Sequence, residues 1–289
     1  MAMQLLNNPA LELIRLAVRE DLGTGDVTSR GLIAPGARVR ARIVAREPGV
    51  VAGLALIAPV LREFRCRARV TLKARDGRRV RRGETLAVIA GPARGILAAE
   101  RTLLNFLQRL SGVATLTRRF VDAVKGTPAR IYDTRKTTPG WRGLEKYAVR
   151  MGGGSNHRIG LYDQALVKDN HLAAMRARGE SLAKALARLR RKHPNLFIEV
   201  EADDRRGVRE AVEAGANAVL LDNMTPEQTA RMVRLVRSMP GGRRIALEAS
   251  GGIMLATVRA VARTGVDRIS VGALTHSAPA LDIAMDFET

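Results

Sequence analysis

The stretch Ile198–Asn223, "IEVEADDRRGVREAVEAGANAVLLDN", sets two short apolar runs, "IEVEAD" and "AVLLDN", on either side of "GVREAVEAG", where apolar residues recur at helical spacing. Apolar runs this short, bounded by polar residues and glycine, read as buried strands. A strand, a crossover helix and a second strand in so little chain make one βα repeat, and a crossover of this kind sets its two strands parallel. The runs end on Glu201 and Asp222, 21 residues apart.

The same pattern recurs on both sides. Runs at 129–134 ("ARIYDT"), 165–170 ("ALVKDN"), 196–203 ("LFIEVEAD"), 218–223 ("AVLLDN"), 244–252 ("RIALEASGG") and 267–272 ("DRISVG") alternate with helical stretches such as "PEQTARMVRLVRSM". From the second run onward each ends in a polar or small group, Lys168, Glu201, Asp222, Ser250 and Gly272, at gaps of 33, 21, 28 and 22 residues that each suit one βα unit. In a barrel of such units the carboxyl ends of the strands converge on one mouth, where active sites are built. One such residue would be a chance helix cap, whereas five in register point to a site. The glycine turns "SGGI" at 250–253 and "VGALTHS" at 271–277 are expected to open helices and offer free backbone N–H groups to a phosphate. Beside Glu201 and Asp222 they suggest a phosphorylated sugar whose hydroxyls or bound metal the carboxylates hold.

The first part of the chain reads differently. A short amphipathic helix near Pro9 to Glu20 precedes a Gly and Thr loop, "EDLGTGDVTS", then strands from about Val39 to Val51 and a helix around Leu54 to Phe64. Two strands are expected to flank "RDGRRVRRGE", with Asp76-Gly77 as a hairpin signal. The piece "DGRRVRRGETLAVIAG" also resembles the hairpin of biotinyl and lipoyl carrier domains, but no lysine sits at the carrier position, so it reads as structural. From Leu97 to Val124 two helices are expected, joined at Ser111-Gly112, with a domain boundary there: 1–112 and 113–289, the last residues packing back on the first domain.

Composition narrows the classes of function. The 289 residues are 46% hydrophobic and 27% charged, enough for a sizeable core. The N-terminal "MAMQLLNNPALELIRLAVRED" interrupts its apolar residues with Asn, Glu and Arg, so no signal-peptide core or membrane span is expected and a soluble cytoplasmic protein is the reading. One cysteine, Cys66, leaves no internal disulfide and reads as an apolar filler. The net charge of +21 raises nucleic-acid binding as a possibility. Residues 30–101 hold 17 basic and 5 acidic side chains, mostly arginines alternating with apolar residues as in "RVRARIVAR", the pattern of strands with one wet face. With only 3% aromatic residues and no reading-helix motif, stacking on bases is not supported, and attraction of small anions is the simpler consequence.

Residues 134–158, "TRKTTPGWRGLEKYAVRMGGGSNHR", carry six Lys or Arg and one Glu. Arg135 and Lys136 follow the first barrel strand, and His157 and Arg158 follow the Gly152–Gly154 turn, read as a flexible hinge that brings them over the mouth. With Lys168 they match a ligand with several anionic groups, arginine as a bidentate fork and lysine as a point charge. His157 could equally be a loop histidine bonded to backbone. Arg142, Lys146 and Arg150, four apart on the helix after Pro139, are expected to face water.

The motifs "ERTLLNFLQRLSG", "DTRKTTPGWRGLEKYAV", "GGGSNHRIGLYDQALVKDNH", "IEVEADD", "LLDN", "EASGGI" and "SVGALTHS", taken in order, make the chain resemble the quinolinate phosphoribosyltransferases from "EDLGTGDVTS" onward. The resemblance implies an N-terminal α/β sandwich domain followed by an incomplete TIM-like α/β barrel, and a homodimer or larger assembly with sites at the subunit boundary. It implies that Arg135, His157, Arg158 and Lys168, with Thr134, hold the carboxylates of quinolinate, and that Lys136 and Lys168 stand near the phosphates of phosphoribosyl pyrophosphate. Glu201 and Asp222 would engage ribose hydroxyls and Mg2+, directly or through water. Ser250, Gly251, Gly252, Val271, Gly272, Ala273 and His276 would line the 5′-phosphate site, and Arg101 would reach the neighbouring subunit's site. Lys136, Lys168, Glu201 and Asp222 are the expected catalytic set. Trp141 stands where an aliphatic residue is usual, and the second Asp of "EADD" is uncommon. The alternatives are a related phosphoribosyltransferase acting on nicotinate or another ligand, and a basic RNA-associated protein, which sub-micromolar specific RNA binding at physiological salt would reveal.

Overall fold

The structure, a computed structural model, describes residues 8–288. The first seven residues, on which the reading of a signal-free N-terminus partly rests, and Thr289 lie outside the described residues. Contacts divide the chain into two compact units, the first Met1–Arg118, Lys136–Gly154 and Ala273–Thr289, the second Arg119–Arg135 and Ser155–Gly272. Among the described residues no helix is long and apolar enough to cross a membrane.

In the first unit, strands β1 (Arg38–Ala45), β3 (Arg69–Leu72), β5 (Thr85–Pro92) and β12 (Ile283–Phe287) form an antiparallel sheet in the order β12, β1, β5, β3, while β2 (Gly49–Val50) pairs with β4 (Arg79–Val80). The period-two pattern of β1 produces its burial: Ala41, Ile43 and Ala45 are inside, and Arg38, Arg40 and Arg42 are exposed. Arg40 and Arg42 meet Glu288, and Arg46 meets Asp286, so part of the arginine surplus is matched locally by the last strand. Cys66 is buried, and burial raises its thiol pKa.

Several expectations for this unit need correction. "DVTS" is not loop: Asp26 accepts the Ser29 amide at 2.9 Å and caps a helix at Val27–Leu32. Asp76-Gly77 does not close a tight hairpin, because β3 pairs with β5 and β4 with β2. The Asp76 carboxylate is instead taken by the amides of Gly53 (3.0 Å) and Leu54 (3.1 Å) and by the Tyr147 hydroxyl (2.6 Å). Burial and the bond to Asp76 both raise the Tyr147 pKa.

The expected helix break at Ser111-Gly112 is absent, since one helix runs Ala93–Ala123. Both residues are set by packing. The Ser111 hydroxyl accepts the Ala52 amide at 3.0 Å, and a Cβ at position 112 would stand 1.9 Å from the Pro279 carbonyl oxygen. Gly112→Ala is expected to destabilise the protein by roughly 1–3 kcal/mol through overpacking, read as a lowered chemical-denaturation midpoint. Helix propensity alone would raise it.

The helix Arg142–Met151 packs against helices Asn8–Leu22 and Ala273–His276, so residues 144–149 are all buried, Lys146 among them at 1% exposure. The expectation that Lys146 faces water is therefore wrong, while Arg150 is exposed. Trp141 stacks on Phe106 with centroids 4.8 Å apart, which gives its aromatic ring a packing role. The triple glycine is close-packed rather than a flexible hinge: a Cβ on Gly152 would lie 2.5 Å from the Ala114 carbonyl oxygen and one on Gly154 2.8 Å from Thr117 Cγ2.

The second unit holds six strands, β6 (Arg130–Tyr132), β7 (Ala165–Val167), β8 (Ile198–Ala202), β9 (Ala218–Asp222), β10 (Ala246–Ser250) and β11 (Arg268–Ser270). All are parallel, in the order β6, β11, β10, β9, β8, β7. Helices Asp169–Ala177, Leu182–Lys192, Arg205–Glu213, Pro226–Ser238 and Val258–Ala262 link the strands. β6 and β7 remain as edges, so the ring of strands is incomplete, as expected. Asp204, the uncommon second Asp, accepts the Gly207 amide at 2.6 Å and caps the helix after β8.

Candidate active site

The expected strand-end residues of the second unit do share one edge of the sheet. Asp222, the last residue of β9, is in register with Ser250, the last of β10, and Glu201 lies one strand over in β8. Lys168 directly follows β7, exposed, at the cap of helix Asp169–Ala177. Around the carboxylates a cavity of about 410 Å³ is lined by Asp169, Glu201, Asp203, Arg206 and Asp222 among others, within the size range of small-molecule sites. A larger depression of about 1100 Å³ adjoins it, with Arg176, Arg205, Arg209 and Glu210 in its wall. No strand-end residue lines that depression, so it is not where the expected chemistry converges.

Burial raises the Glu201 pKa, and the neighbouring Asp222 charge raises it further while Lys168 lowers it. Two carboxylates this close repel until a cation or a hydroxyl donor joins them. An all-oxygen donor set at adjacent strand ends fits a hard divalent ion such as magnesium.

A second cluster is cationic. Asp133 follows β6, is fully buried, and ties its own loop to the next segment by accepting the His157 amide (2.8 Å) and the Asn156 side-chain amide (2.6 Å). Thr134 and Arg135, half-buried, come next. Arg158 is 8% exposed and donates from Nη1 to the Gln164 carbonyl at 3.3 Å. Burial lowers its pKa, and the nearby Arg135 lowers it again. Two guanidinium groups gathered at such cost suit a ligand with more than one negative charge.

His157 is held from both ring nitrogens. Nε2 lies 2.9 Å from Glu199 Oε2 and 3.4 Å from Glu248 Oε1, and Nδ1 accepts the Arg158 amide at 2.9 Å. Burial depresses the imidazole pKa, but the two carboxylates outweigh it and push the value up to about 9. The Arg158 amide opposes a second proton at Nδ1, so the donor in this arrangement is Nε2–H. Glu199 is fully buried, and burial raises its pKa.

Of the two glycine turns, the one at Gly272 opens a helix as expected and the other does not. "SGGI" does not open a helix, because the next one starts only at Val258 and has five residues, and the helix after Gly272 has four. Little macrodipole is therefore available at either turn. Positive φ at Gly251 (+94°) and Gly252 (+60°), and a Cβ at 251 only 2.1 Å from Asn223 Oδ1, make this a close backbone approach instead. Val271 is buried, with its amide given to the Tyr132 carbonyl at 2.9 Å, and Gly272 is half-buried.

Arg101, Lys136, Ala273 and His276 belong to the first unit. Arg101 is exposed on helix Ala93–Ala123, and Lys136 and His276 are exposed too. The Thr275 hydroxyl donates to the Lys136 carbonyl at 2.7 Å. Beside them Arg109 donates to Glu145 Oε1 at 2.6 Å and to the Ala278 carbonyl at 2.9 Å, and Glu145 in turn accepts the amide and hydroxyl of Thr138.

This arrangement has close relatives. Residues 26–111 match the family described as quinolinate phosphoribosyl transferase, N-terminal domain, and residues 113–286 match its C-terminal domain. The chain belongs to the quinolinate phosphoribosyltransferase family. It is 45% identical over 280 residues to the nicotinate-nucleotide pyrophosphorylase [carboxylating] of Mycobacterium leprae, covering 96% of each chain. It is 43% identical over 268 residues to a probable enzyme of the same name from Bacillus subtilis, covering 92% of this chain and 89% of that one. The structure of the nicotinate-nucleotide pyrophosphorylase from Francisella tularensis superimposes with a TM-score of 0.89 at 36% identity, covering 97% of this chain and 96% of that one. In this member of the quinolinate phosphoribosyltransferase family, sequence reading missed Asp133, Gln164, Glu199 and Glu248. Stepping back two positions from Glu201 and Ser250 would have found the two glutamates, since alternate residues of a strand share a face.

Proposed function

We propose that this enzyme transfers the phosphoribosyl group of phosphoribosyl pyrophosphate to quinolinate, releasing pyrophosphate and carbon dioxide and leaving nicotinate mononucleotide, as a cytoplasmic homodimer or larger homo-oligomer. The observations that carry this reading are the two guanidinium groups of Arg135 and Arg158 gathered together, and Glu201 at its strand end beside Asp222 with Lys168 near it. In this reading Thr134, Arg135, Arg158 and Lys168 hold the dicarboxylate, and His157 sits among them. Lys136 and Lys168 steady the phosphates. Ser250 and the backbone of Gly251, Gly252, Val271, Gly272 and Ala273, with His276, surround the 5′-phosphate.

The ring nitrogen of quinolinate attacks the anomeric carbon, and the bond to pyrophosphate breaks with its electron pair leaving on oxygen. The nitrogen is then cationic, so the electron pair of the adjacent carbon–carboxylate bond can stay on the ring carbon, stabilised by the positive charge beside it, as carbon dioxide departs, and that carbon then takes a proton from water. Magnesium, held by Glu201 and Asp222 directly or through water, would supply charge neutralisation to the leaving pyrophosphate. Holding two polyanions side by side supplies much of the acceleration. The exposure of Arg101 fits a role in a neighbouring subunit's site, and exposed apolar residues such as Val27 and Leu32 fit self-association.

Gly251→Ala is expected to raise the KM for phosphoribosyl pyrophosphate on the order of tenfold or more, because the new methyl group must displace Asn223 and sit at a positive φ that disfavours it. The overall reading is tested by incubating the protein with phosphoribosyl pyrophosphate, magnesium and either quinolinate or nicotinate. Nicotinate mononucleotide is expected from quinolinate. Product from nicotinate alone would transfer the chain to the other phosphoribosyltransferase reaction.

A further inference from the structure

Glu199 takes no part in the proposed chemistry and lies fully buried on β8, two residues before the cavity carboxylate Glu201. A buried carboxylate costs several kcal/mol unless its oxygens are satisfied. Oε1 of Glu199 has no hydrogen-bond partner among the described residues, so stability alone gives little reason for a charge here.

Oε2 of the same group is well used. It receives the His157 ring at Nε2 (2.9 Å) and the Gln164 side-chain amide (2.9 Å). Each of these residues in turn holds Arg158, His157 through Nδ1 to the Arg158 amide (2.9 Å) and Gln164 through its main-chain carbonyl to Arg158 Nη1 (3.3 Å). Two separate routes thus leave one oxygen and meet again on one arginine, the first fixing its backbone and the second its guanidinium. Glu248 supports the first route from β10, its Oε1 lying 3.4 Å from His157 Nε2 and accepting the Ser270 hydroxyl.

We propose that Glu199 is a positioning residue whose task is to aim Arg158 at the dicarboxylate, acting through His157 and Gln164. The inference rests on the reading of Arg158 as a quinolinate ligand. It assigns specificity for quinolinate partly to a residue that never touches substrate. Only the acceptor oxygen is needed, so an uncharged amide at this position should serve nearly as well.

The test is a double-mutant cycle on KM, made with Glu199→Ala, Glu199→Gln, Arg158→Ala and the pair Glu199→Ala with Arg158→Ala. Glu199→Ala is expected to raise the quinolinate KM tenfold to a hundredfold, on the order of what misplacing a binding group costs, while leaving the KM for phosphoribosyl pyrophosphate within about twofold of the parent. Glu199→Gln should restore most of the loss. In the pair, Glu199→Ala should add nothing further to the effect of Arg158→Ala, because its route ends there.

Additive effects in the pair, or equal loss for both substrates, would overturn the positioning role while leaving Arg158 as a ligand. No change in quinolinate KM on Arg158→Ala would instead remove the reading on which the inference stands. Should Glu199→Ala fail to fold, Gln164→Ala, at a half-buried position, removes the side-chain amide that ties the second route to Glu199 while keeping the main-chain carbonyl that meets Arg158, and gives the same cycle with a smaller rise.

Discussion

Arg135→Ala is expected to raise the KM for quinolinate roughly 30- to 150-fold, the equivalent of about 2–3 kcal/mol for a lost charge-assisted contact, and to change the KM for phosphoribosyl pyrophosphate far less. Two features set that size. Arg135 is half-buried and near enough to Arg158 to depress its pKa, so its charge acts in a setting less screened than the surface. Its guanidinium can also engage a carboxylate in two parallel bonds, which lysine cannot reproduce. Arg135→Lys should therefore recover only part of the loss. Steady-state kinetics with each substrate varied in turn makes the comparison, and equal loss toward both substrates would place Arg135 elsewhere in the site.

Glu145→Ala should produce the largest loss of stability, roughly 3–5 kcal/mol. Glu145 is fully buried in the first unit and joins Arg109 Nη2 to the amide and hydroxyl of Thr138. Arg109 also donates to the carbonyls of Thr275 and Ala278. Removing the carboxylate leaves a guanidinium with backbone carbonyls alone and removes the Thr138 anchor from the loop that carries Lys136, whose carbonyl still accepts the Thr275 hydroxyl. Urea denaturation of the variant should show a markedly lower midpoint, and Arg109→Met combined with Glu145→Leu should recover part of it, because an apolar pair of similar size needs no charge balance. An unfolding free energy within about 0.5 kcal/mol of the parent, the range of surface substitutions, would mean that the pair contributes nothing.

The barrel was the most legible part of the fold. A short apolar run ending in a polar residue, followed by a helical repeat, leaves little freedom, and Lys168, Glu201, Asp222 and Ser250 fell where the register puts them. What sequence did not reveal depends on contacts between residues far apart in the chain. Ser111-Gly112 reads as a break until Pro279 is seen against the glycine and Ala52 against the serine. Lys146 follows the spacing of a wet face, yet two other helices cover that helix. The triple glycine signals freedom locally, although Ala114 and Thr117 leave no room for a Cβ. Glu199 could be picked out as sharing the face of Glu201, but the same limit hid its role, which depends on His157 and Gln164 arriving from another segment.

The chemistry itself is most directly tested with quinolinate carrying 13C in the carboxylate beside the ring nitrogen. In one reaction with phosphoribosyl pyrophosphate and magnesium, labelled carbon dioxide and pyrophosphate should appear in equal amounts and at equal rates, and neither should form when either substrate is left out. Pyrophosphate released while the label stays on the pyridine ring, or no turnover of either compound, would contradict the assignment of this site to decarboxylating phosphoribosyl transfer.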